Sequence, residues 1–167
     1  SAPRRGTTVT IYMPRAQSGE LPERERPVAS GDAIGTGETV LVVEDDPGVR
    51  RQAVEKLVAL GYRVLEASDG NAALQRLAGD DPIDLLFTDL VMPGGVSGLA
   101  VARRARDPRP TLPVHFTSGY PTSTIADATG EEPNVAVLLK PYRKAELARL
   151  IRDALDGRLS EAAPVDA

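Results

Sequence analysis

The stretch Phe87-Thr88-Asp89-Leu90-Val91-Met92-Pro93-Gly94-Gly95 follows the apolar run Ile83-Asp84-Leu85-Leu86, so an apolar segment ends on a carboxylate and gives way to a Pro-Gly-Gly loop. Three further apolar runs end on residues able to do chemistry: residues 40–43 on Glu44-Asp45-Asp46, residues 113–116 on Thr117-Ser118-Gly119, and residues 135–139 on Lys140-Pro141. Carboxylates packed together repel, and each resists ionising unless a cation lies between them. A divalent ion such as Mg²⁺ resolves the conflict, because it prefers hard oxygen ligands, takes one or two carboxylates and accepts a phosphoryl oxygen. Glu44, Asp45 and Asp89 could hold it, with a backbone carbonyl in the loop after Asp89 adding another oxygen. A carboxylate can also attack phosphorus to give an aspartyl phosphate, while the metal and a lysine neutralise the equatorial oxygens. Lys140 suits that role as a compact point charge, and the Ser118 hydroxyl can donate to a further oxygen. On this reading Asp89 ends its strand in order to project into a crevice, and Gly94-Gly95 lets the loop bend past the metal.

Such a constellation needs elements that bring four segments to one place. Residues 40–43 form a short continuous apolar run of the kind expected for a strand covered on both faces. Residues 47–60 then carry a helical pattern through Val49, Ala53, Val54, Leu57 and Val58, with Asp46 placed to cap it, Pro47 in its first turn and Gly61 at its stop. The alternation repeats: strand 62–67 and helix 71–78, strand 83–88 and helix 98–106, strand 113–117 and a short segment at 123–129, strand 135–139 and an amphipathic helix 144–155. Five apolar strands separated by helices predict a doubly wound α/β fold, a parallel sheet with helices on both faces. Ligands of such sheets bind beyond the carboxyl ends of the strands, where the polar residues above are found.

The rest of the chain bounds the function. With 167 residues, 41% hydrophobic, the chain can build one core plus tails. It carries no cysteine, which excludes disulfides, thiolate metal sites and a thiol nucleophile. The net charge of −4 and the scattered basic residues offer no stripe for a nucleic-acid backbone, so no direct nucleic-acid contact is expected. No apolar run reaches the roughly 18 residues of a membrane span and no signal peptide is evident, so the expectation is a cytoplasmic chain without membrane contact. Residues 8–13 alternate like a short strand ended by Pro14, residues 15–38 read as a flexible linker whose ends would average ~27 Å apart, and residues 158–167 read as a disordered tail.

The segments "VLVVEDDPGVR", "DLLFTDLVMPGGVSG", "PVHFTSGY" and "VLLKPY", in that order and spacing, resemble the receiver domain of bacterial two-component signalling over residues 39–157. The resemblance implies a five-stranded sheet in the order 2-1-3-4-5, a cis Lys140-Pro141 bond, and Mg²⁺ or Mn²⁺ as cofactor. It assigns Glu44 and Asp45 to the metal-binding acidic pair and Asp89 to the phospho-acceptor. Ser118 becomes the switch hydroxyl, Lys140 the phosphate-contacting lysine and the Val91 carbonyl the backbone metal ligand. It also implies a histidine kinase or histidine phosphotransfer domain as partner, and catalysis limited to self-phosphorylation and dephosphorylation at Asp89. Three departures stand out: Glu44 is one methylene longer than the commoner Asp, the 89–98 loop is one residue longer, and Val137 replaces an aromatic. The segment "RRGTTVTIYMPRA" resembles the final strand of a histidine-kinase ATP-binding domain, which makes residues 1–14 a remnant of it and the whole chain the C-terminal part of a hybrid histidine kinase.

Blander readings weigh against each residue taken alone. Acids at helix starts favour the helix dipole, and Asp46 is left to capping. His115, the only histidine, lies in a strand-like run and reads as a packed structural residue, so the phosphoryl donor is expected outside this chain. Tyr120 and Tyr142 flank the proposed site and could gate it or simply pack, and Gly35-Thr36-Gly37 reads as linker. A phosphate-independent binding module keeps the same fold without using Asp89. A Mg²⁺-dependent phosphohydrolase usually carries a second Asp two residues after the nucleophile, and that position is Val91.

Overall fold

The computed structural model describes residues 9–12, 35–92, 95–120 and 137–157. The chain divides into Ser1–Ser30 and Gly31–Ala167. In the first unit, residues 9–12 are exposed and carry no strand, unlike the short strand expected there. The second unit holds β1 (Thr39–Val43), α1 (Pro47–Val58), β2 (Arg63–Ala67), α2 (Gly70–Ala78), β3 (Leu85–Asp89), α3 (Gly98–Arg106), β4 (Val114–Ser118), β5 (Val137–Leu139) and α4 (Lys144–Leu155). The segment expected at 123–129 and the tail at 158–167 lie outside the described residues. No helix among those described is long and apolar enough to cross a membrane.

All four strand pairings are parallel, and the sheet order is β2-β1-β3-β4-β5. The chain leaves β1 for the β2 edge, returns across β1 to β3 and then proceeds outward, so the order reverses between β1 and β3. That reversal opens a crevice at the carboxyl ends of these two strands. Alternate residues of the central strands feed two cores. Val40, Val42, Leu85 and Phe87 pack with Ala53 and Leu57 of α1 and Leu147, Ala148 and Ile151 of α4. Leu41, Val43 and Leu86 pack on the other face with Ala73 and Leu77 of α2 and Val101, Ala102 and Ala105 of α3. A period of two in a strand buried on both faces produces this division, and among the described residues each face carries two helices. At the opposite end of the sheet, Asp84 ties β1 to β3 by accepting from the Thr39 N–H (2.7 Å) and donating its own N–H to the Thr39 carbonyl (2.9 Å).

Three helix starts, those of α1, α2 and α3, follow the capping rules. Asp46 accepts from the N–H groups of Gly48 (2.7 Å) and Val49 (2.9 Å), Asp69 accepts from Ala72, and Ser97 from Ala100. Gly61 lies at φ 89° just beyond α1, a left-handed conformation that glycine adopts without a Cβ penalty. Gly35–Glu38, which the sequence places in the linker, are fastened to this unit. The Gly35 N–H donates to the Leu60 carbonyl (2.8 Å), and Arg152 of α4 bonds the Glu38 carboxylate (2.7 Å).

Two buried features carry consequences for stability. A Cβ on Gly98 would sit 2.0 Å from the Asp89 carbonyl oxygen, whereas one on Gly95 would meet nothing within 4 Å. Gly98→Ala is therefore expected to lower stability by about 1–3 kcal/mol in urea melts, with Gly95→Ala close to neutral. His115 is 4% exposed, and both its ring nitrogens lack a hydrogen-bond partner among the described residues. Burial pushes it from 6.5 down to about 4, so in that window the unfolded chain binds a proton that the folded chain refuses. Stability then rises with pH through the window and is lost as pH falls. Relative to His115→Leu, the chain should lose roughly 3 kcal/mol of unfolding free energy between neutral pH and pH 4. Parallel pH profiles for the two proteins would contradict this.

Candidate functional site

Strand register decides which side chains meet. Val43 pairs with Thr88, so Glu44 and Asp89 follow side by side at the ends of β1 and β3. Asp89 pairs with Thr117 and Ser118 with Leu139, which brings Ser118 and Lys140 to the same end of the sheet. The Lys140 N–H donates to the Ser118 carbonyl (2.8 Å), extending the ladder one residue beyond β5, and the Lys140-Pro141 bond is cis.

Glu44, Asp45 and Asp89 each offer a carboxylate oxygen within 4.8 Å of the others, with Glu44 and Asp89 buried and Asp45 exposed. The Lys140 ammonium reaches into this group and donates to Glu44 Oε2 (2.5 Å) and Asp89 Oδ2 (2.6 Å). Burial holds Glu44 above its ordinary value in spite of the lysine contact. For Lys140, burial disfavours the ammonium, but the hydrogen bonds to Asp89 and Glu44 more than offset it and the net shift is upward. Lys140 is therefore an ammonium, held in that form by its contacts to both acids. Asp46 stands apart as the α1 cap, its carboxyl held below the usual range by the N–H groups of Val49 and Gly48.

The donor set suits a hard divalent ion. Opposite ligands of an octahedral Mg²⁺ lie about 4.2 Å apart at bond lengths of about 2.1 Å. The three carboxylates offer oxygens within 4.8 Å of one another, a donor set that suits one shared hard ion, and two of them are bonded by the Lys140 ammonium. Val91 is adjacent, and its N–H donates to Asp89 Oδ1 (3.3 Å). Ser118 is buried, and its Oγ accepts from the Tyr120 N–H (3.0 Å). No hydrogen bond joins Ser118 to the carboxylates among the described residues. Pro93 and Gly94 fall outside these residues. The bend expected of Gly94-Gly95 therefore falls partly outside the described residues, and a Cβ on Gly95 itself would meet nothing within 4 Å. Gly98 carries a requirement of its own, because a Cβ there would collide with the Asp89 carbonyl. Of the flanking tyrosines, Tyr120 is 60% exposed. Tyr142 is packed, edge-on to Phe87 at 6.0 Å and under the Lys56 ammonium at 4.7 Å, and burial raises its phenol. Val137, at the position expected to lack an aromatic, packs partly buried against the α2 and α3 core.

Two supports escaped the sequence. Arg50, one turn into α1, reaches back to bond the Glu44 carbonyl (2.7 Å) and lies 3.5 Å from the Glu66 carboxylate on β2. It pins the end of β1 from outside the pocket. The Thr88 hydroxyl donates to the Asp89 carbonyl (3.0 Å), the same oxygen that Gly98 admits at close range. An arginine in the second turn of an acid-capped helix was a readable signal for the first. The second needed the tertiary contact.

Comparison with known proteins agrees with this geometry. The family model of the response regulator receiver domain matches residues 40–152. The sensor kinase CckA of Brucella abortus (strain 2308) is 30% identical over 161 residues, which take in 91% of this chain and 17% of CckA. The chain thus spans about a sixth of that kinase. The response regulator receiver protein CpdR of the same organism is 34% identical over 116 residues, covering 70% of this chain and 95% of CpdR. Among solved structures, the receiver domain from the hybrid histidine kinase CckA superposes with a TM-score of 0.56 at 37% identity, over 70% of this chain and 98% of that one. A doubly wound sheet in the order 2-1-3-4-5, an acid cluster at its switch point and a family match over most of the chain lead to one assignment: the chain belongs to the response regulator receiver family of two-component phosphorelay signalling.

Proposed function

We propose that Asp89 is the phosphoryl acceptor of this receiver and that Glu44, Asp45 and Asp89 hold a divalent cation, Mg²⁺ or Mn²⁺, beside it. The observation that carries this reading is the gathering of three carboxylates within 4.8 Å around one half-buried ammonium. Capping alone accounts for Asp46 but would not supply a lysine bonded to two of the other acids.

In the transfer, an Asp89 carboxylate oxygen bonds to phosphorus as the bond to the donor's imidazole nitrogen breaks, and that imidazole takes its replacement proton from solvent. A bound cation would supply charge neutralisation on the equatorial oxygens. Lys140 supplies a second positive charge there after turning from the carboxylates toward the phosphoryl group. Ser118, now bonded by the Tyr120 N–H, has a hydroxyl hydrogen free to donate to a phosphoryl oxygen. Movement of Ser118 and Lys140 would bias a two-state surface at β4 and β5. His115 cannot serve as donor, because its ring is buried in β4. The partner is therefore a histidine kinase or a histidine phosphotransfer domain that presents its phosphohistidine at the crevice.

We assign the parent molecule to the hybrid histidine kinases, with residues 1–14 as the end of the kinase's ATP-binding domain, residues 15–38 as linker, residues 39–157 as the receiver and residues 158–167 as tail. The match to CckA supports this, because 91% of the chain is more than residues 39–167 could supply and so includes part of the N-terminal segment.

Incubation with a small-molecule phosphodonor, followed by intact mass, tests the chemistry. The chain should gain one phosphoryl group with Mg²⁺ present, and none after chelation or in Asp89→Asn. Lys140→Gln should retain the fold and slow the gain by about 100–1,000-fold, the effect of losing one group aimed at the transferring charge. A gain that persists in Asp89→Asn would refute the assignment.

A further inference from the structure

Lys140 leaves a short edge strand, and two posts fix the backbone from which its side chain starts. On one side its N–H is bonded to the Ser118 carbonyl (2.8 Å), a contact that owes nothing to a side chain. On the other side, two residues on, stands the buried Tyr142, its ring edge-on to Phe87 at 6.0 Å. Its backbone is held from elsewhere: the Lys56 ammonium donates to the Tyr142 carbonyl (2.9 Å) and lies 4.7 Å from the centroid of the same ring. A lysine in the last turn of a helix ordinarily favours the helix dipole and faces water. Lys56 is in the last turn of α1, yet it is half-buried and crosses to a residue 86 positions away in the sequence. One ammonium thus gives Tyr142 both a charge-assisted hydrogen bond and a cation held over its ring. The packing of α1 against α4 does not depend on this grip, because Leu57, Leu147 and Ile151 are buried together and Lys144 separately reaches the Ala59 carbonyl (3.2 Å).

We infer that Lys56 is a positioning residue for Lys140: by gripping Tyr142 it fixes the far end of the Lys140-Pro141-Tyr142 segment and so aims the Lys140 ammonium at Asp89 and at a phosphoryl group upon it. The inference rests on the reading of Asp89 as acceptor. Helix α1 thereby has a hold on the transfer without touching the reacting atoms. With the far post gone, the segment pivots about the Ser118 bond, and a long side chain turns a small rotation at its base into a larger displacement at its tip. A displacement of about 1 Å in a positioned group costs up to about 100-fold in rate. Glu44, Asp45 and Asp89 follow β1 and β3, whose places are set by both cores, so the loss of Lys56 leaves the cation-holding acids where they are.

The test uses the whole chain, a small-molecule phosphodonor at saturating Mg²⁺ with rates read from intact mass, and Mn²⁺ alone titrated by electron paramagnetic resonance. Lys56→Met keeps the length of the side chain and removes its charge, and it should slow the phosphoryl gain about tenfold while binding Mn²⁺ no more weakly than the parent. Lys56→Arg, which restores a donor and a cation over the ring, should recover the rate to within about threefold. In the Lys140→Gln background Lys56→Met should cause no further slowing, because its effect passes through Lys140. An unchanged rate in Lys56→Met, weaker Mn²⁺ binding by it, no recovery in Lys56→Arg, or the same tenfold loss without Lys140 overturns the inference. In each of these cases the acceptor site stands if the parent gains its phosphoryl group at Asp89. If the parent gains none, the acceptor reading and the role of Lys56 fall together.

Discussion

Like charges gathered in a place that water barely reaches form the constraint on which the rest of this molecule depends. Glu44 and Asp89 are 5% and 8% exposed, and their oxygens lie within 4.8 Å of each other and of Asp45. Such a group persists only with a cation at hand, and Lys140 supplies one. Several otherwise separate features serve this arrangement. The β1/β3 reversal opens the crevice, and the ladder bond from Lys140 to Ser118 aims the lysine. Arg50 pins Glu44 from behind, while Thr88 and Gly98 fix the Asp89 carbonyl.

The two hydrophobic cores give that crevice its rigidity. Because β1 and β3 are buried on both faces, their ends cannot drift apart without unpacking helices on one side or the other. The ends of β1 and β3 therefore behave as fixed points, whereas Lys140 is a long side chain following a three-residue edge strand. That division suits a switch: a stiff acidic floor with a cation on a long arm above it. It also explains why the tyrosines differ. Tyr142 is locked against Phe87 and Lys56 and anchors the segment that follows Lys140, whereas Tyr120 beside Ser118 is exposed.

Much of this was legible in the residues. The run at 40–43 and the acids after it announced a central strand with a functional end, and the alternation with helical periods gave the sheet, its order following from the family resemblance. Strand starts were less readable. The strand expected at 83–88 runs Leu85–Asp89, because Asp84 is consumed in bridging to Thr39 and Ile83 packs beneath the sheet. Residues 9–12 alternate like a strand but have no strand assigned, since alternation records a possible face and not a neighbour to pair with. At the site, charge and spacing pointed to Glu44, Asp45, Asp89 and Lys140. They did not reveal that Glu44 shares the lysine, that Arg50 turns back across its own helix start, or that Gly98 must admit the Asp89 carbonyl, because each of these depends on atoms brought close by folding.

The central claim is that phosphorus bonds to the carboxylate of Asp89 and to no other group. Borohydride reduction of the phosphorylated chain, which converts an aspartyl phosphate to homoserine, followed by peptide sequencing in the mass spectrometer, tests it most directly. The account predicts homoserine at position 89 alone. Homoserine at position 45, or a phosphoryl group that resists reduction and maps to Ser118 or His115, would contradict it.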